Sequence, residues 1–343
     1  MPAPKRRLFA AIFGLTVFLA LLLPYLRPRT VPRYTVTDLG VLPGDAVSSA
    51  SGINNHGEIV GFSINASYTQ QQLFLVRGGR MSSLGRYDSH SEYDGPAIND
   101  SGKINRKQRI GSAASPAGYK RSLPHHAVLY SGSRKIDFTM PAGWTMANLN
   151  GVNGQGQVVG ICWRQTLGSR SNWGTFVYDS KTKKFSLLPL PSGCLNAEVN
   201  GINDHGQMIG YAWQGGDSSQ AVLWNGGQPF LLAGLPGRDD STGGAINNQG
   251  DAVGSAGSEP NAAGQFVNSH NIRLRLLVPI FRRQWEDHAV LYKGGHAQDL
   301  NTLIPEDADW TLEQANSIND HGQIVGNGLH HGQERAFLLT PMH

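Results

Sequence analysis

A nine-residue motif that recurs along the chain constrains its fold more than any other feature. Residues 53–61 read Ile-Asn-Asn-His-Gly-Glu-Ile-Val-Gly, and residues 318–326 read Ile-Asn-Asp-His-Gly-Gln-Ile-Val-Gly. Four further copies begin at residues 98, 152, 202 and 246, so that neighbouring copies lie 44 to 72 residues apart. Self-similarity at such a period indicates an array of one repeated supersecondary unit.

The centre of each copy predicts a tight β-hairpin turn. Its Asn can hydrogen-bond to the backbone two residues further on, and the Gly that follows supplies the left-handed conformation that closes a short loop. The Ile-Val-Gly run after the turn predicts a buried strand whose Gly permits a bulge or a close approach of another backbone. No copy precedes a helix, which argues against a phosphate-binding loop. The predicted structural turn residues are Asn54, Gly57, Asn99, Gly102, Asn153, Gly156, Asn203, Gly206, Asn247, Gly250, Asn319 and Gly322.

The copy that begins at residue 98 keeps the turn but continues differently. Ile104 is followed by the sequence Asn-Arg-Lys-Gln of residues 105–108 before the Arg-Ile-Gly of residues 109–111. We interpret this copy as the same hairpin with an insertion or a shift of register.

The residues between the copies predict a second hairpin in each unit. A third strand such as Ala221–Trp224 is followed by a glycine turn and by a fourth strand such as Ala297–Leu300. Four short antiparallel strands per unit are typical of a β-propeller blade. The sequence therefore predicts an all-β, six-bladed propeller of four-stranded antiparallel blades, with an open β-solenoid as the alternative.

The two ends of the repeat array complement each other. The last unit ends near Leu339 with only three strands, whereas residues 34–40 precede the first motif and match the fourth-strand pattern. An N-terminal strand that completes the final blade would close the ring and remove its edges. Composition agrees with this fold class, because 43 glycines and a charged fraction of 16% exclude a coiled coil, a helical bundle and a charge-driven disordered chain.

The repeats resemble those of the bacterial family of extracellular HAF repeat proteins, which takes its name from a His-Ala-Phe tripeptide at the third strand. Here the tripeptide reads His126-Ala127-Val128 and His288-Ala289-Val290, and the last unit has Arg335-Ala336-Phe337. The other three units depart from it, so its His is not a required catalytic group. The resemblance covers nearly everything after residue 33 and implies an exported repeat protein, but it implies no active-site residues.

The N-terminus predicts a membrane signal. Residues 1–7 form a basic region, and Leu8–Leu26 contains no charge over nineteen residues, long enough to span a bilayer as a helix. No small-residue cleavage site follows, so we predict one transmembrane signal anchor over residues 8–26. A single-pass protein of the inner, cytoplasmic membrane would result, with its C-terminal domain periplasmic or extracellular. The alternative is a cleaved signal and a secreted protein.

The predicted domain organisation follows from these segments. A basic Pro/Arg linker covers residues 27–33, and the propeller covers residues 34–343 with an insertion at about 255–287. The chain has 29 basic and 25 acidic residues, but six basic residues and no acid lie before residue 34. The remainder is weakly acidic, which argues against a nucleic-acid partner.

The sequence predicts no metal site and no cofactor. No zinc-protease, nucleophile-elbow, phosphate-loop or calcium-loop motif is present. His56, His205 and His321 occupy the same turn position in three units, where they would stand too far apart to share one metal. Cys162 and Cys194 fall on one predicted face in adjacent blades, and an oxidising compartment favours a disulfide between them.

Aromatic residues are the candidate ligand contacts. Trp144 and Trp310 share one offset from the turn Asn, and Trp163 and Trp213 share another, which indicates packing between blades. Aromatics without such recurrence are better binding candidates, because stacking platforms for sugars or peptides are built from them. These candidates are Tyr68, Tyr87, Tyr93, Tyr119, Trp173 and Trp285.

We therefore predict a monomeric binding module at the cell envelope, tethered by its N-terminal helix, with the ligand surface opposite the Asn turns. Its predicted partners are the membrane and a glycan, peptidoglycan or an envelope protein. Length-variable loops on one side of a rigid ring are the usual place for recognition. The alternative is a hydrolase or lyase that acts on an extracellular or cell-wall polymer at the central opening of the propeller.

Overall fold

The computed structural model is an all-β propeller. It describes residues 32–86, 96–106, 108–114, 120–122, 126–131, 134–139, 141–144, 146–164, 172–215, 218–257 and 287–342, and the statements below concern these residues. Within them, the strands form five antiparallel blades, of which four are four-stranded sheets and one belongs to a six-stranded sheet. The blade number of six that the motif count predicts is therefore wrong.

The blades follow the order of the repeats. Blade 1 contains β2 (Val47–Ile53), β3 (Ile59–Ile64), β4 (Gln71–Arg77) and β5 (Arg80–Arg86). Blade 2 contains β12 (Met146–Val152), β13 (Gln157–Arg164), β14 (Asn172–Asp179) and β15 (Lys184–Leu187). Blade 3 contains β16 (Asn196–Ile202), β17 (Met208–Trp213), β18 (Ser219–Asn225) and β19 (Gln228–Leu231). Blade 4 contains β20 (Asp240–Ile246), β21 (Ala252–Gly257), β22 (His288–Lys293) and β23 (His296–Asp299).

Blade 5 confirms the predicted closing strand. It contains β24 (Trp310–Ile318), β25 (Ile324–His330), β26 (Gln333–Pro341) and, as its fourth strand, β1 (Tyr34–Asp38). β1 pairs antiparallel with β26 from Tyr34 opposite Pro341 to Asp38 opposite Phe337. Short 3₁₀ turns at Leu300–Thr302 and Glu306–Ala308 connect blade 4 to blade 5.

The second repeat unit explains why the blade number differs from the motif count. Its strands are β6 (Pro96–Ile98), β7 (Ile104–Arg106), β8 (Gln108–Ala114), β9 (Lys120–Ser122), β10 (His126–Ser131) and β11 (Arg134–Thr139). β6 pairs with β7 and β10 with β11, whereas β8 pairs with β12 of blade 2 and extends that sheet to six strands. The sequence leaves the repeat pattern at residues 105–108, and the described residues of this unit form no four-stranded sheet of their own.

The repeat glycine is required by a close backbone approach. A Cβ on Gly61, Gly160, Gly210, Gly254 or Gly326 would lie only 1.8–2.2 Å from a carbonyl oxygen of the preceding strand. The register shifts beside this contact in all five blades, for example between Val199 and Gly201. The extra residue of the resulting β-bulge reaches the next unit, as where Asn200 Nδ2 donates to Gly243 O at 2.9 Å.

The cores lie between blades rather than within them. Val159 of blade 2 packs in one cluster with Val199, Val222 and Trp224 of blade 3. A second cluster joins blades 3 and 4, a third joins blades 4 and 5, and a fourth joins blade 5 to blade 1. Each blade therefore buries its apolar face only by contacting its neighbour, as expected of repeats.

The turn asparagines connect the units around the ring. Asn203 Oδ1 accepts hydrogen bonds from the backbone of His205 and Gln207, and its Nδ2 donates to Asn247 O at 2.9 Å. The same bond to the next turn is made by Asn54, Asn153, Asn247 and Asn319, and the last of these reaches Asn54 O. We call these five bonds the asparagine belt.

The structure does not bear out the predicted membrane anchor. In the part of the chain that the structure describes, no helix is long and apolar enough to cross a membrane. This finding contradicts the predicted single-pass inner-membrane protein with a transmembrane helix. The segment in question, residues 8–26, lies outside the described residues, as do residues 258–286 of the predicted insertion.

Candidate binding site

A cleft opens beside blades 2 and 3, at the strand ends opposite the Asn turns. Trp173, Leu195, Asn196, Trp213 and Gly215 line it, and its volume is about 290 Å³. Clefts that bind small ligands begin at about this size and combine apolar walls with a few polar groups.

Strand register places the aromatic walls. Trp173 of β14 lies directly opposite Trp163 of β13, and their stacked rings have centroids 6.2 Å apart and an interplanar angle of 28°. Trp213, the last residue of β17, pairs with Asn196, the first residue of β16. The indole of Trp213 also meets the ring of Tyr211 edge-on, with the two centroids 4.8 Å apart. Neighbouring rings therefore hold both tryptophans of the cleft.

The cleft belongs to an exposed apolar patch. Trp173 is 50% exposed and Leu195 is 67% exposed, although folding normally removes such side chains from water. Leu187 and Leu190 are exposed in the same stretch of chain. The described residues include only three other large hydrophobic side chains with comparable exposure, Leu84, Phe230 and Met342. Clustered exposure of this kind marks an interaction site more often than scattered exposure does.

Polar groups continue from the cleft along blade 3. Glu198 and Tyr211 form the next opposed pair on the sheet face that carries Asn196 and Trp213. Tyr211 Oη donates to Glu198 Oε2 at 3.0 Å, and Asn150 Nδ2 of blade 2 donates to Glu198 Oε1 at 3.3 Å. Burial, and then the Glu198 carboxylate, raise the pKa of Tyr211 well above its usual value. The phenol therefore stays a hydrogen-bond donor at neutral pH.

The sequence locates one of the cleft residues and misses another. Trp173 is a predicted ligand contact and lines the cleft, whereas Trp213, with a predicted packing role between blades, lines it as well. Its recurrence at the position of Trp163 gives no sign of this role. The predicted ligand contact Tyr68 does not line the cleft. It lies in the turn between β3 and β4 of blade 1 and has a left-handed φ of 55°. Tyr87, Tyr93, Tyr119 and Trp285 lie outside the described residues.

The predicted disulfide is absent, because both cysteines are free thiols. Cys162 is buried in the cluster between β11 and blade 2, where its Sγ donates to Gly174 O at 3.3 Å. Cys194 instead packs against the cluster between blades 2 and 3. Burial raises the pKa of the Cys162 thiol to about 12, so this residue is a small core side chain rather than a nucleophile.

The first residue of the HAF tripeptide has a structural role where it is described. His288 Nδ1 lies 2.6 Å from Asp299 Oδ2 on the fourth strand of blade 4. Gln220, at the same position of blade 3, donates to Leu232 O at 2.9 Å, and Arg335 of blade 5 donates to Ala46 O. Different side chains thus secure the third strand at this position. Among the described residues, no three His, Cys, Asp or Glu side chains are grouped so that they could hold a metal ion.

No protein-family model and no curated protein matches the chain. Membership of the HAF repeat family therefore stays a prediction. Solved propeller structures are similar over most of its length. The β-propeller domain of the trilobed protease from Pyrococcus furiosus is 7% identical, with a TM-score of 0.46, 87% of this chain and 94% of that chain covered.

Two enzymes give similar values. An acylaminoacyl peptidase is 9% identical with a TM-score of 0.44, and the match covers 85% of this chain but only 43% of the peptidase. Oligogalacturonate lyase from Vibrio parahaemolyticus is 9% identical with a TM-score of 0.38, and 89% and 93% of the two chains are covered. With TM-scores below 0.5, these similarities support no conclusion about the activity or the ligand of this chain.

Proposed function

We propose that the protein is a binding module that holds a carbohydrate chain against Trp173 in the cleft beside blades 2 and 3. The observation that carries this proposal is the half-exposed indole of Trp173, supported by Trp163 and facing a cleft that Trp213 also lines. The C–H face of a pyranose ring suits such an indole, because it is apolar and flat, whereas its edge is polar.

The polar lining supports a carbohydrate over a purely apolar ligand. Asn196 lies at the cleft with an exposed carboxamide that hydrogen-bonds to none of the described residues, so both its donor and its acceptor remain for a ligand. A sugar hydroxyl uses both kinds of partner. A partner protein would also cover the exposed Leu187, Leu190 and Leu195, and it is the alternative to a carbohydrate.

The test begins with the purified full chain on an array of glycans and soluble peptidoglycan fragments. Ligands that it retains are titrated while tryptophan fluorescence is followed. The variant Trp173→Ala should weaken binding at least about tenfold, because a stacked aromatic contact of about 1.4 kcal/mol or more is lost. Its free energy of unfolding should change by no more than about 1 kcal/mol, since half of the side chain is exposed.

The matched control is Phe230→Ala, which removes an aromatic side chain of 53% exposure from β19, away from the cleft lining. This variant should bind as the unmodified protein does. Equal affinity of the Trp173→Ala variant would show that the cleft is not the site. Retention of no carbohydrate at all would reject the proposed ligand class and favour a protein partner.

A further inference from the structure

Glu198 is the one charged residue at its position in the five blades. The equivalent residues, five before each turn Asn, are Ser49, Asn148, Thr242 and Gln314. Each contributes the carbonyl oxygen that approaches the repeat glycine, so all five occupy the same place on the first strand of a blade. The shared backbone geometry therefore does not require a carboxylate, and blade 5 folds with the neutral analogue Gln.

Among the described residues, Glu198 has hydrogen-bond donors but no counterion. Tyr211 and Asn150 each donate to one of its oxygens, whereas Glu198 forms no ion pair with any of the described residues. A half-buried carboxylate is normally paired, because loss of hydration penalises the charged form. Two neutral donors orient the group and leave its charge uncompensated.

The position of Glu198 relates it to the cleft. Along a strand, residues two apart lie on one face and are separated by about 7 Å. Asn196 lines the cleft, and Glu198 is the next residue on that face of β16. Across the sheet, Trp213 of the cleft contacts Tyr211, which donates to Glu198. An oligosaccharide that contacts Trp173 and Asn196 and continues along this face of β16 would have its next ring directed toward the carboxylate.

We infer that Glu198 binds a protonated amine of the carbohydrate, so that the module selects amino sugars that lack an N-acetyl group. This inference rests on the proposed function. Tyr211 and Asn150 are positioning residues in it, because they fix the two carboxylate oxygens. An ammonium group would complete the ion pair, and an N-acetylated sugar of the same length would leave the carboxylate without a counterion.

Two ligands that differ only in this group provide the test. Glucosamine oligomers and N-acetylglucosamine oligomers of equal length are titrated against the full chain and against the isosteric variant Glu198→Gln. The full chain should bind the glucosamine oligomer at least about tenfold more tightly at low salt, and added salt should reduce the preference. Glu198→Gln should abolish the preference by weakening only the binding of the amine.

The outcomes separate this inference from the proposed function. Equal binding of both oligomers by the full chain, with a loss for Trp173→Ala, would overturn the inference and leave the proposed function intact. Equal weakening of both oligomers by Glu198→Gln would also overturn it, because the residue would then have a structural role. Absence of binding to either oligomer would overturn it as well, and other carbohydrates on the array would still decide the proposed function.

The unfolding midpoint shows whether Glu198→Gln is folded. Gln314 occupies the equivalent position in blade 5, so we expect Glu198→Gln to keep its unfolding midpoint within a few degrees of the unmodified protein.

Tyr211→Phe keeps the ring beside Trp213 and removes the hydroxyl that positions Glu198. It should reduce the preference for the amine while binding of the N-acetylated oligomer is retained. An unchanged preference in this variant would contradict the positioning role of Tyr211.

Discussion

The residues at the two ends of the strands differ sharply in how much they vary from blade to blade. On the turn face, Asn54, Asn153, Asn203, Asn247 and Asn319 are all buried and all make the same bond to the next unit. At the opposite end, equivalent positions carry different residues with different partners. Because the turn face and the interblade cores already specify the ring, the loop face is free to diverge and to carry recognition.

A pair of equivalent tryptophans illustrates this divergence. Trp144 of blade 2 and Trp310 of blade 5 both lie nine residues before a turn Asn. The guanidinium of Arg164 lies 4.6 Å from the ring of Trp144, whereas the imidazole of His330 stacks on Trp310 with the centroids 4.6 Å apart. The stacking position is kept, but the group that stacks differs between the two blades. Repetition at the loop face thus preserves geometry without preserving chemistry.

The largest effect is expected where the repeated geometry is tightest. In blade 4, Gly254→Ala would place a Cβ 1.9 Å from Thr242 O, and the two residues lie in the paired strands β21 and β20. We expect a loss of at least about 4 kcal/mol in the free energy of unfolding, or no folded protein at all. The measurement is urea unfolding followed by circular dichroism.

The control for this variant is Gly294→Ala in the same blade. Gly294 has φ of +59°, and a Cβ at this position would meet no heavy atom within 4 Å, so the variant tests the cost of the left-handed conformation alone. That cost should be about 1–2 kcal/mol. Equal losses in the free energy of unfolding for the two variants would show that the close backbone approach is not the reason for a glycine at the repeat position.

An intermediate effect is expected in the asparagine belt. Asn203→Asp keeps the oxygen that accepts from His205 and Gln207 but replaces the donor to Asn247 O with a second oxygen. Two buried acceptors then face each other, and we expect a loss of about 2 kcal/mol at neutral pH. The loss should shrink in acid, because a protonated carboxyl regains a donor.

Asn225→Asp at the exposed end of β18 is the control, and thermal unfolding at several pH values is the measurement. It should change stability by less than about 0.5 kcal/mol. If the two variants lost the same amount, the belt would add nothing to the stability of the ring.

The smallest effect concerns the loop end of blade 4. Burial alone would raise the pKa of Asp299, but the hydrogen bonds from His288 and from the backbone of Asn301 lower it below its ordinary value of 3.8. A carboxyl with a lowered pKa stabilises the fold above that value and loses this contribution as the pH falls through the folded-state pKa. Asp299→Asn should therefore flatten the decline in stability below pH 3.8.

The exposed Asp307→Asn is the matched control, and it should leave the acid side of the stability curve unchanged. The expected difference between the two variants is on the order of 1 kcal/mol. A curve for Asp299→Asn that superimposes on that of the unmodified protein would remove the stabilising role of the His288–Asp299 pair.

Local features of the fold were predictable because they depend on neighbouring residues. The hairpin turn, the close approach at the repeat glycine and the closing strand β1 all follow from short patterns. The blade number was wrong because it depends on whether each copy completes a sheet, and β8 pairs with β12 instead. The sequence marked residues 105–108 as irregular, but no local pattern shows which strand a displaced segment will join.

The site was only partly predictable for a related reason. Trp173 stands out because it does not recur, whereas the recurrence of Trp213 indicates packing. The cleft depends on Leu195 of the connection between blades and on Asn196 at the start of β16, and no sequence pattern marks either residue. A further signal lies three residues before the turn Asn, at Asn150, Asn200 and Asn316, each of which donates to the neighbouring unit from a β-bulge. Recurrence of Asn there predicts the bulge.

The asparagine belt also has a direction. In each of its five bonds the donor comes from one unit and the acceptor from the unit that follows it around the ring. Each repeat thus contains both groups of the hydrogen bond between units: the side-chain amide that donates to the next unit and the backbone carbonyl that accepts from the previous one. Duplication of one repeat would insert a unit with compatible junctions on both sides. Rings of different size can then arise from the same turn, while each new loop end begins as a copy and is free to acquire its own ligand.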